Sequence, residues 1–251
     1  MVIGHLTMRS GNPALTADTF ATFPAVTDDQ AMTIGGTVNK TALSLLILLV
    51  AATFVWNRGP TDPSLWAFTL IGVVGGLVAA ITTVFKKTWA PFTTPIYAGF
   101  QGLALGGISV VFEATYPGIV SQAVFLTFGT LAALLAAYRS GVIRATENFK
   151  LGVVAATGGI GLVYFLSFVL GFFGMSVPLI HSSGTFGILF SIFVVVIAAL
   201  NLVLDFDFIE QGAERKAQKH MEWYGAFGLL VTLVWLYLEI LHLLAKLQSR
   251  R

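Results

Sequence analysis

Long uncharged apolar segments alternate with short polar connections along the chain. No Asp, Glu, Lys or Arg occurs at 41–57, 63–85, 88–112, 114–138 or 151–204. A membrane-spanning helix needs about 20 mostly apolar residues, and the last of these windows is long enough for two. Pro178, with the glycines on either side of it, divides that window because both residue types interrupt helices. The pattern predicts seven spans, near 41–57, 65–85, 93–113, 118–138, 151–173, 184–208 and 223–245.

The first forty residues are polar by comparison. They contain Arg9, Asp18, Asp28 and Asp29, and they lack the basic start, apolar core and cleavage site of a signal peptide. We therefore predict a retained, mostly extramembrane arm at 1–40. A single all-α domain of seven transmembrane helices follows at 41–247.

Composition excludes several classes of protein. Of 251 residues, 56% are hydrophobic and only 10% are charged, with a mean hydropathy of +0.85, against about 25% charged residues in an ordinary soluble domain. The net charge of +2 is too small and scattered to predict a nucleic-acid partner. The absence of cysteine excludes disulfides and thiolate chemistry. We expect the lipid bilayer as the main partner.

Basic residues predict the orientation in the membrane. Eight of them lie in the connections after spans two, four and six, whereas the connections after spans one, three and five hold only Arg58. Because cytoplasmic loops carry the excess of Lys and Arg, the even connections and the N-terminus should be cytoplasmic, in a cell inner membrane. Seven full spans then place the basic tail outside, against the rule. Either the earlier signals dominate, or the last segment does not cross completely.

Small residues recur at intervals of four in several spans. Gly72 and Gly76 lie in the second span, and Ala98, Gly102 and Gly106 lie in the third. Such spacing places small side chains on one face and lets helices approach closely in lipid. The same packing role is predicted for Gly158, Gly159 and Gly161 in the fifth span.

Four acids lie within or at the ends of spans: Glu113, Asp205, Asp207 and Glu239. A charge at membrane depth costs at least about 2.5–3.5 kcal/mol, so such acids are candidates for function. Asn201 lies one turn before Asp205 on the same face. His242, three residues after Glu239, can form a proton-responsive pair with it or lie in the outer interface as an ordinary amphipathic residue. Asp207, Glu113, Asn201 and His242 are secondary candidates for the ion pathway. Asp207 and Glu113 lie near a membrane surface, where exposure to water is the alternative explanation.

Enzyme signatures are missing. The chain has no His-Glu-x-x-His pair, no Gly-x-Ser-x-Gly elbow and no phosphate-binding loop. The histidines are dispersed and predict no metal cluster, so we expect neither an enzyme nor a cofactor.

Several short motifs together carry a family resemblance. They are SGNPAL at 10–15, PIY at 95–97 followed by QGL at 101–103, FE at 112–113, YPGIV at 116–120, VLD at 203–205 and LYLEIL at 236–241. In this order the chain resembles a bacterial, YccA-like member of the Bax inhibitor-1 family. The resemblance implies a seven-helix fold whose last helix is central, and a pH-sensitive calcium leak. It also implies two acids, matched here by Asp205 and Glu239, that share a proton and gate the pore.

Two departures from the family pattern concern this acid pair. The second acid is Glu rather than Asp, and 34 residues separate the two acids, apparently through an insertion around 211–222. Glu239 would lie about 24 Å beyond a helix start at 223, whereas Asp205 would lie only about 5–7 Å from the end of span six. Asp205 and Glu239 can lie at the same depth in the membrane only if span six continues past Gln211 or span seven starts later.

A shared proton suggests how such a protein can sense pH. Two close carboxyl groups in a low dielectric hold one proton between them, and its gain or loss changes the attraction between their helices. Calcium prefers oxygen ligands, six to eight of them in a strong site. Too few acids are evident for such a site, so any calcium interaction should be weak.

Two other classes of function stay open: a proton-coupled transporter of a small solute, and a non-conducting regulator that binds another membrane protein through the 10–15 motif.

Overall fold

The computed structural model describes residue 27 and residues 30–173 and 184–250. This part of the chain forms seven α-helices, each long and apolar enough to cross a membrane. They are α1 (Ile34–Trp56), α2 (Leu65–Phe85), α3 (Ala90–Thr115), α4 (Ile119–Arg139), α5 (Glu147–Phe172), α6 (Thr185–Glu214) and α7 (Met221–Gln248). The predicted all-helical fold with seven spans is confirmed. The 10–15 motif and most of the predicted turn at 174–184 lie outside the described residues.

Two helix boundaries differ from the predicted ones by more than four residues. Helix α1 begins at Ile34 rather than near 41, because Thr33 caps it by accepting a hydrogen bond from the backbone N–H of Gly36. Helix α6 continues to Glu214 rather than ending near 208. Polar residues at an interfacial helix end continue the helix, so uncharged windows underestimate its length.

Helix α7 is the centre of the bundle, as the family resemblance implied. It packs against α1, α3, α4 and α6, and its buried residues lie on all sides rather than on one stripe. Side chains that are fully buried include Tyr224, Phe227, Leu230, Leu236 and Leu241. A helix that is apolar all round is stable only when other helices or lipid surround it. The other helices turn many large apolar side chains outward, toward lipid.

Small residues hold α1, α2 and α3 close together. A β-carbon on Gly72 would collide with the α3 backbone at Phe100 and Ala104, and one on Gly102 would collide with the α1 carbonyl of Leu48. The predicted packing role is therefore confirmed for these helices. It is wrong for α5: a β-carbon at Gly158, Gly159 or Gly161 would meet no atom of the described chain within 4 Å. Their spacing resembles a packing motif, but that face of α5 points away from the bundle.

The residues just before α1 are joined to the loop between α6 and α7. Ala31 and Gln218 form an isolated antiparallel bridge, and the N–H of Met32 donates to the carbonyl of Ala217 at 2.6 Å. This contact brings the start of the first helix to the start of the last.

Candidate functional site

Asp205 lies in the interior of α6, with none of its surface exposed. Asn201, one turn earlier, is 1% exposed. Its Nδ2 donates to Thr157 Oγ1 on α5 and to the carbonyl of Ile197, both at 2.8 Å. Its Oδ1 is buried and has no hydrogen-bond partner among the described residues. The polar spot predicted on this face of α6 is therefore buried, and Asn201 ties it to α5.

Glu239 lies in the interior of α7 and is 6% exposed. Its Oε1 accepts a hydrogen bond from the hydroxyl of Tyr164 on α5 at 2.8 Å. The same oxygen accepts a second hydrogen bond from the indole N–H of Trp235, one turn earlier, at 3.2 Å. A buried carboxyl group with two donors on one oxygen is stabilised, and its other oxygen can carry a proton.

Lys246 lies two turns beyond Glu239, toward the C-terminal end of α7. Its Nζ donates to Ser191 Oγ at 2.7 Å and to the carbonyl of Gly187 at 3.3 Å, both on α6. A charge interaction also links it to Glu239. Lys246 belongs to the basic tail of the chain, yet its side chain turns back into the α6–α7 interface.

Asp207 pairs with a lysine instead of facing an open path. Its Oδ2 lies 2.8 Å from Nζ of Lys150 at the start of α5 and accepts a hydrogen bond from Gln211 at 2.6 Å. The side chain of Lys150 is only 7% exposed. Asp207 and Lys150 therefore neutralise each other near the membrane surface.

The other two secondary candidates make contacts at the opposite end of the bundle. The carboxylate of Glu113 accepts the backbone N–H groups of Gly118 at 2.6 Å and Val120 at 3.1 Å. It thereby caps the start of α4, where Gly118 has φ +84°. The ring of His242 packs edge-to-face on Phe112, with centroids 5.5 Å apart. The predicted pairing of His242 with Glu239 stays a prediction.

Comparison with known families decides the identity of the fold. The family model described as Bax inhibitor 1 like matches residues 12–249, nearly the whole chain. The chain belongs to the Bax inhibitor 1 like family. Family membership and the seven apolar helices together make it a multi-pass integral membrane protein in contact with the bilayer. The comparison with curated proteins and the comparison with solved structures each returned no match.

The acid pair implied by the resemblance to the Bax inhibitor-1 family is not side by side. Helices α6 and α7 are antiparallel neighbours, and the contact between Ser191 and Lys246 fixes their relative height. From it, Asp205 lies 14 residues along α6, about 21 Å, and Glu239 lies seven residues back along α7, about 10 Å. Helix α6 does continue past Gln211, yet Asp205 still lies about 10 Å nearer the arm side. The two acids are therefore buried at successive heights along α6 and α7, and Asn201 lies at a height between them.

One buried acid in this member of the Bax inhibitor 1 like family was missed. Glu222, in the first turn of α7, has no exposed surface. It pairs with Lys40 of α1 and with Lys219 at 3.1 Å, and accepts hydrogen bonds from the hydroxyl of Thr33 at 2.8 Å and its N–H at 3.0 Å. The sequence held a signal for this contact. Lys40 precedes the first predicted span and Glu222 precedes the last. Six crossings lie between them, so both residues are at the same membrane surface.

Proposed function

We propose that this protein is a pH-sensitive leak channel for calcium or another cation, with Asp205 and Glu239 as its pH sensor and gate. The observation that supports it is the burial of two acids at successive levels between α5, α6 and α7. Intramembrane acids of this kind are expensive, and they commonly mark ion pathways. The activity is not enzymatic in this proposal and requires no cofactor.

The gating step acts on α5. This helix packs mainly on α6, where Asn201 donates a hydrogen bond to Thr157. A second hydrogen bond, from Tyr164 to Glu239, attaches it to the central helix. Ionised and protonated carboxyl groups differ in the hydrogen bonds they accept. A change of protonation at Glu239 therefore changes how firmly Tyr164 holds α5 against α7. Movement of the loosely packed helix opens or closes the path between α5 and the central helix.

The permeant cation would meet oxygen atoms in sequence rather than in one cage. Carboxyl oxygens of Asp205 and Glu239 and the amide oxygen of Asn201 are buried at successive levels. In the part of the chain that the structure describes, no three His, Asp or Glu side chains gather as a metal site. Few ligands at each level give weak binding, which suits passage because an ion must leave as readily as it enters.

Lys246 favours a second candidate function, proton-coupled transport of a small solute. A lysine hydrogen-bonded at one end of the path repels calcium, whereas a chain of carboxyl, hydroxyl and amide groups can relay protons. The same acids would then be sites of proton binding rather than calcium ligands.

The proposed setting is a cell inner membrane with the arm in the cytoplasm. Seven crossings put the arm and the tail on opposite sides, and the distribution of Lys and Arg between connections assigns the arm to the inside. Helix α7 is as long as its neighbours, which favours full crossing over the partial crossing considered from the sequence.

Ion flux into proteoliposomes tests the proposal. Purified protein, with a calcium-sensitive and a proton-sensitive dye inside the vesicles, is scanned from about pH 5 to about pH 8, the range in which buried carboxyl groups titrate. Wild type is compared with Asp205→Asn, Glu239→Gln and the control Glu214→Gln, an exposed acid at the end of α6. Calcium flux that depends on pH, and that both interior substitutions flatten, supports the leak channel. Proton flux without calcium flux supports the second candidate. No flux above empty vesicles contradicts the leak channel and leaves a transporter whose solute is absent from the vesicles, or the non-conducting regulator.

A further inference from the structure

A cavity of about 190 Å³ lies on the side of α7 opposite to the acid-bearing interface, among α1, α3, α4 and α7. Helices α1 and α4 both pack on α7, but they make no substantial contact with each other. The gap between them is walled by Leu49 and Trp56 on one side and by Val124 and Phe128 on the other. Its floor is the interior surface of α7 at 230–237.

The open side of this gap faces the bilayer. Leu49, Trp56 and Phe128 are 44%, 38% and 38% exposed, and their neighbours Val50 and Phe125 are 63% and 79% exposed. The groove is therefore continuous with the surface of the protein that contacts lipid. The floor is different: Leu230 is fully buried and Leu233 is 4% exposed, so it is reached only through the gap.

Water is a poor occupant of the groove. The hydroxyl groups that line it are engaged: Thr53 donates to the carbonyl of Leu49 at 2.8 Å and Thr127 to the carbonyl of Ala123 at 2.7 Å. The hydroxyls of Ser109 and Tyr237 bond to each other at 2.6 Å. A buried water needs two to four polar partners, and the rest of the lining is apolar. If the groove were empty, the side chains along its walls would lack dispersion contacts, so an apolar occupant is favoured.

The length of the groove matches one leaflet. Its lining on α1 runs from Leu45 to Trp56, about 16 Å at 1.5 Å per residue, and on α4 from Val120 to Phe128, about 12 Å. Half of a hydrocarbon core of about 30 Å is about 15 Å. Trp56 lies at the end of α1, where tryptophan typically marks the membrane interface.

We propose that this groove binds one acyl chain of a bilayer lipid. The lipid belongs to the leaflet opposite the arm, its headgroup lies near Trp56 and the start of α4, and its chain runs inward between α1 and α4 to the surface of α7. The occupant fills the gap that α1 and α4 leave beside the central helix. This inference is independent of the ion pathway, which lies on another face of α7.

Photo-crosslinking tests the proposal. The full-length protein is reconstituted in nanodiscs of phosphatidylethanolamine and phosphatidylglycerol, with a small fraction of phosphatidylglycerol carrying a diazirine on one acyl chain. After illumination, mass spectrometry maps the adducts. We expect adducts on the groove floor within 230–237, formed by Leu230, Leu233, Val234 and Tyr237, as well as on Val50 and Phe125.

Filling the groove provides the matched comparison. Val124→Trp should reduce adducts on 230–237 by about tenfold, which corresponds to about 1.4 kcal/mol, while those on Val50 stay unchanged. Leu77→Trp, on the lipid face of α2 and 60% exposed, is the control and should change neither. Leu49→Trp repeats the test from the other wall if Val124→Trp does not fold. The proposal is overturned if 230–237 is never labelled while Val50 and Phe125 are, or if both filled variants label like wild type.

Discussion

The hydroxyl of Tyr164 on α5 donates a hydrogen bond to Oε1 of Glu239 on α7 across 2.8 Å. These residues are 75 positions apart in sequence, and their helices otherwise meet mainly through α6. A peripheral helix is thereby attached to the central helix by a group that can gain or lose a proton.

Removing this hydroxyl should weaken the attachment of α5. Tyr164→Phe keeps the ring and leaves Trp235 as the remaining donor to Glu239, so we expect a loss of about 1 kcal/mol in the free energy of unfolding. The pH midpoint of flux should shift as well. Unfolding in detergent and flux in vesicles measure the two effects. Trp235→Phe and the double variant complete a cycle; additive losses would contradict a shared acceptor.

Substitution of Asp207 should affect stability, whereas substitution of Asp205 should affect the pH dependence of flux. Asp207→Asn deprives the nearly buried Lys150 of its closest partner, and because Asp207 is partly exposed we expect a loss of about 1–2 kcal/mol in stability. The pH profile of flux should stay that of wild type. Asp205→Asn should alter the profile. A profile flattened by Asp207→Asn would instead place Asp207 in the ion pathway.

Glu222→Gln should destabilise the protein. The amide cannot neutralise Lys40 and Lys219, but both lysines are partly exposed, so we expect a loss of about 1–3 kcal/mol rather than the full cost of a buried unpaired charge. Denaturant titration of the purified protein measures it. Lys40→Met in the same chain should recover part of the loss, and Glu214→Gln is the exposed control. An unchanged midpoint in Glu222→Gln would show that the contact contributes nothing to stability.

Two glycine substitutions of equal size should have opposite outcomes. Gly102→Ala forces a β-carbon against the α1 backbone, and such overpacking costs about 1–3 kcal/mol. Gly159→Ala on α5 meets open space and should be neutral, or stabilising by up to about 1 kcal/mol through helix propensity. Thermal midpoints in one detergent compare them. Equal losses would mean that the exposed face of α5 is packed in the membrane, for example against a second copy.

His220, in the loop before α7, should make stability depend on pH. Burial lowers the pKa of this imidazole below its usual 6.5, so the unfolded chain binds the proton more readily than the folded chain. The contribution to stability is present above pH 6.5 and is lost as pH falls through the lowered pKa. His220→Gln should therefore show a smaller drop in thermal midpoint between pH 7.5 and pH 5.5 than wild type, a window that brackets the usual histidine pKa. An equal drop in both would assign the acid sensitivity to other groups.

Helix number and position were predictable because lipid imposes a minimum apolar length on each span. The predicted span at 65–85 coincides with α2, while α1 and α6 extend into polar residues that no hydropathy window includes. The burial of Asp205 and Glu239 followed from the cost of a charge in lipid. Their relative height did not, since it depends on how far α6 continues and on the contact between Lys246 and Ser191. Tyr164 and Thr157 were not predicted because tyrosine and threonine are ordinary residues in an apolar helix, and only the approach of α5 to α6 and α7 gives them their hydrogen-bond partners.

The central position of α7 has a consequence for biosynthesis. The ribosome makes this helix after the other six, so those six are inserted before the helix around which they pack exists. Synthesis of its 28 residues takes a few seconds at about 5–20 residues per second. During this time Lys40 lies at the membrane surface without Glu222, and Tyr164 lacks its acceptor Glu239. Nascent chains released before α7 should therefore be inserted but unassembled, and they would present to membrane quality control the surfaces that α7 covers in the finished protein.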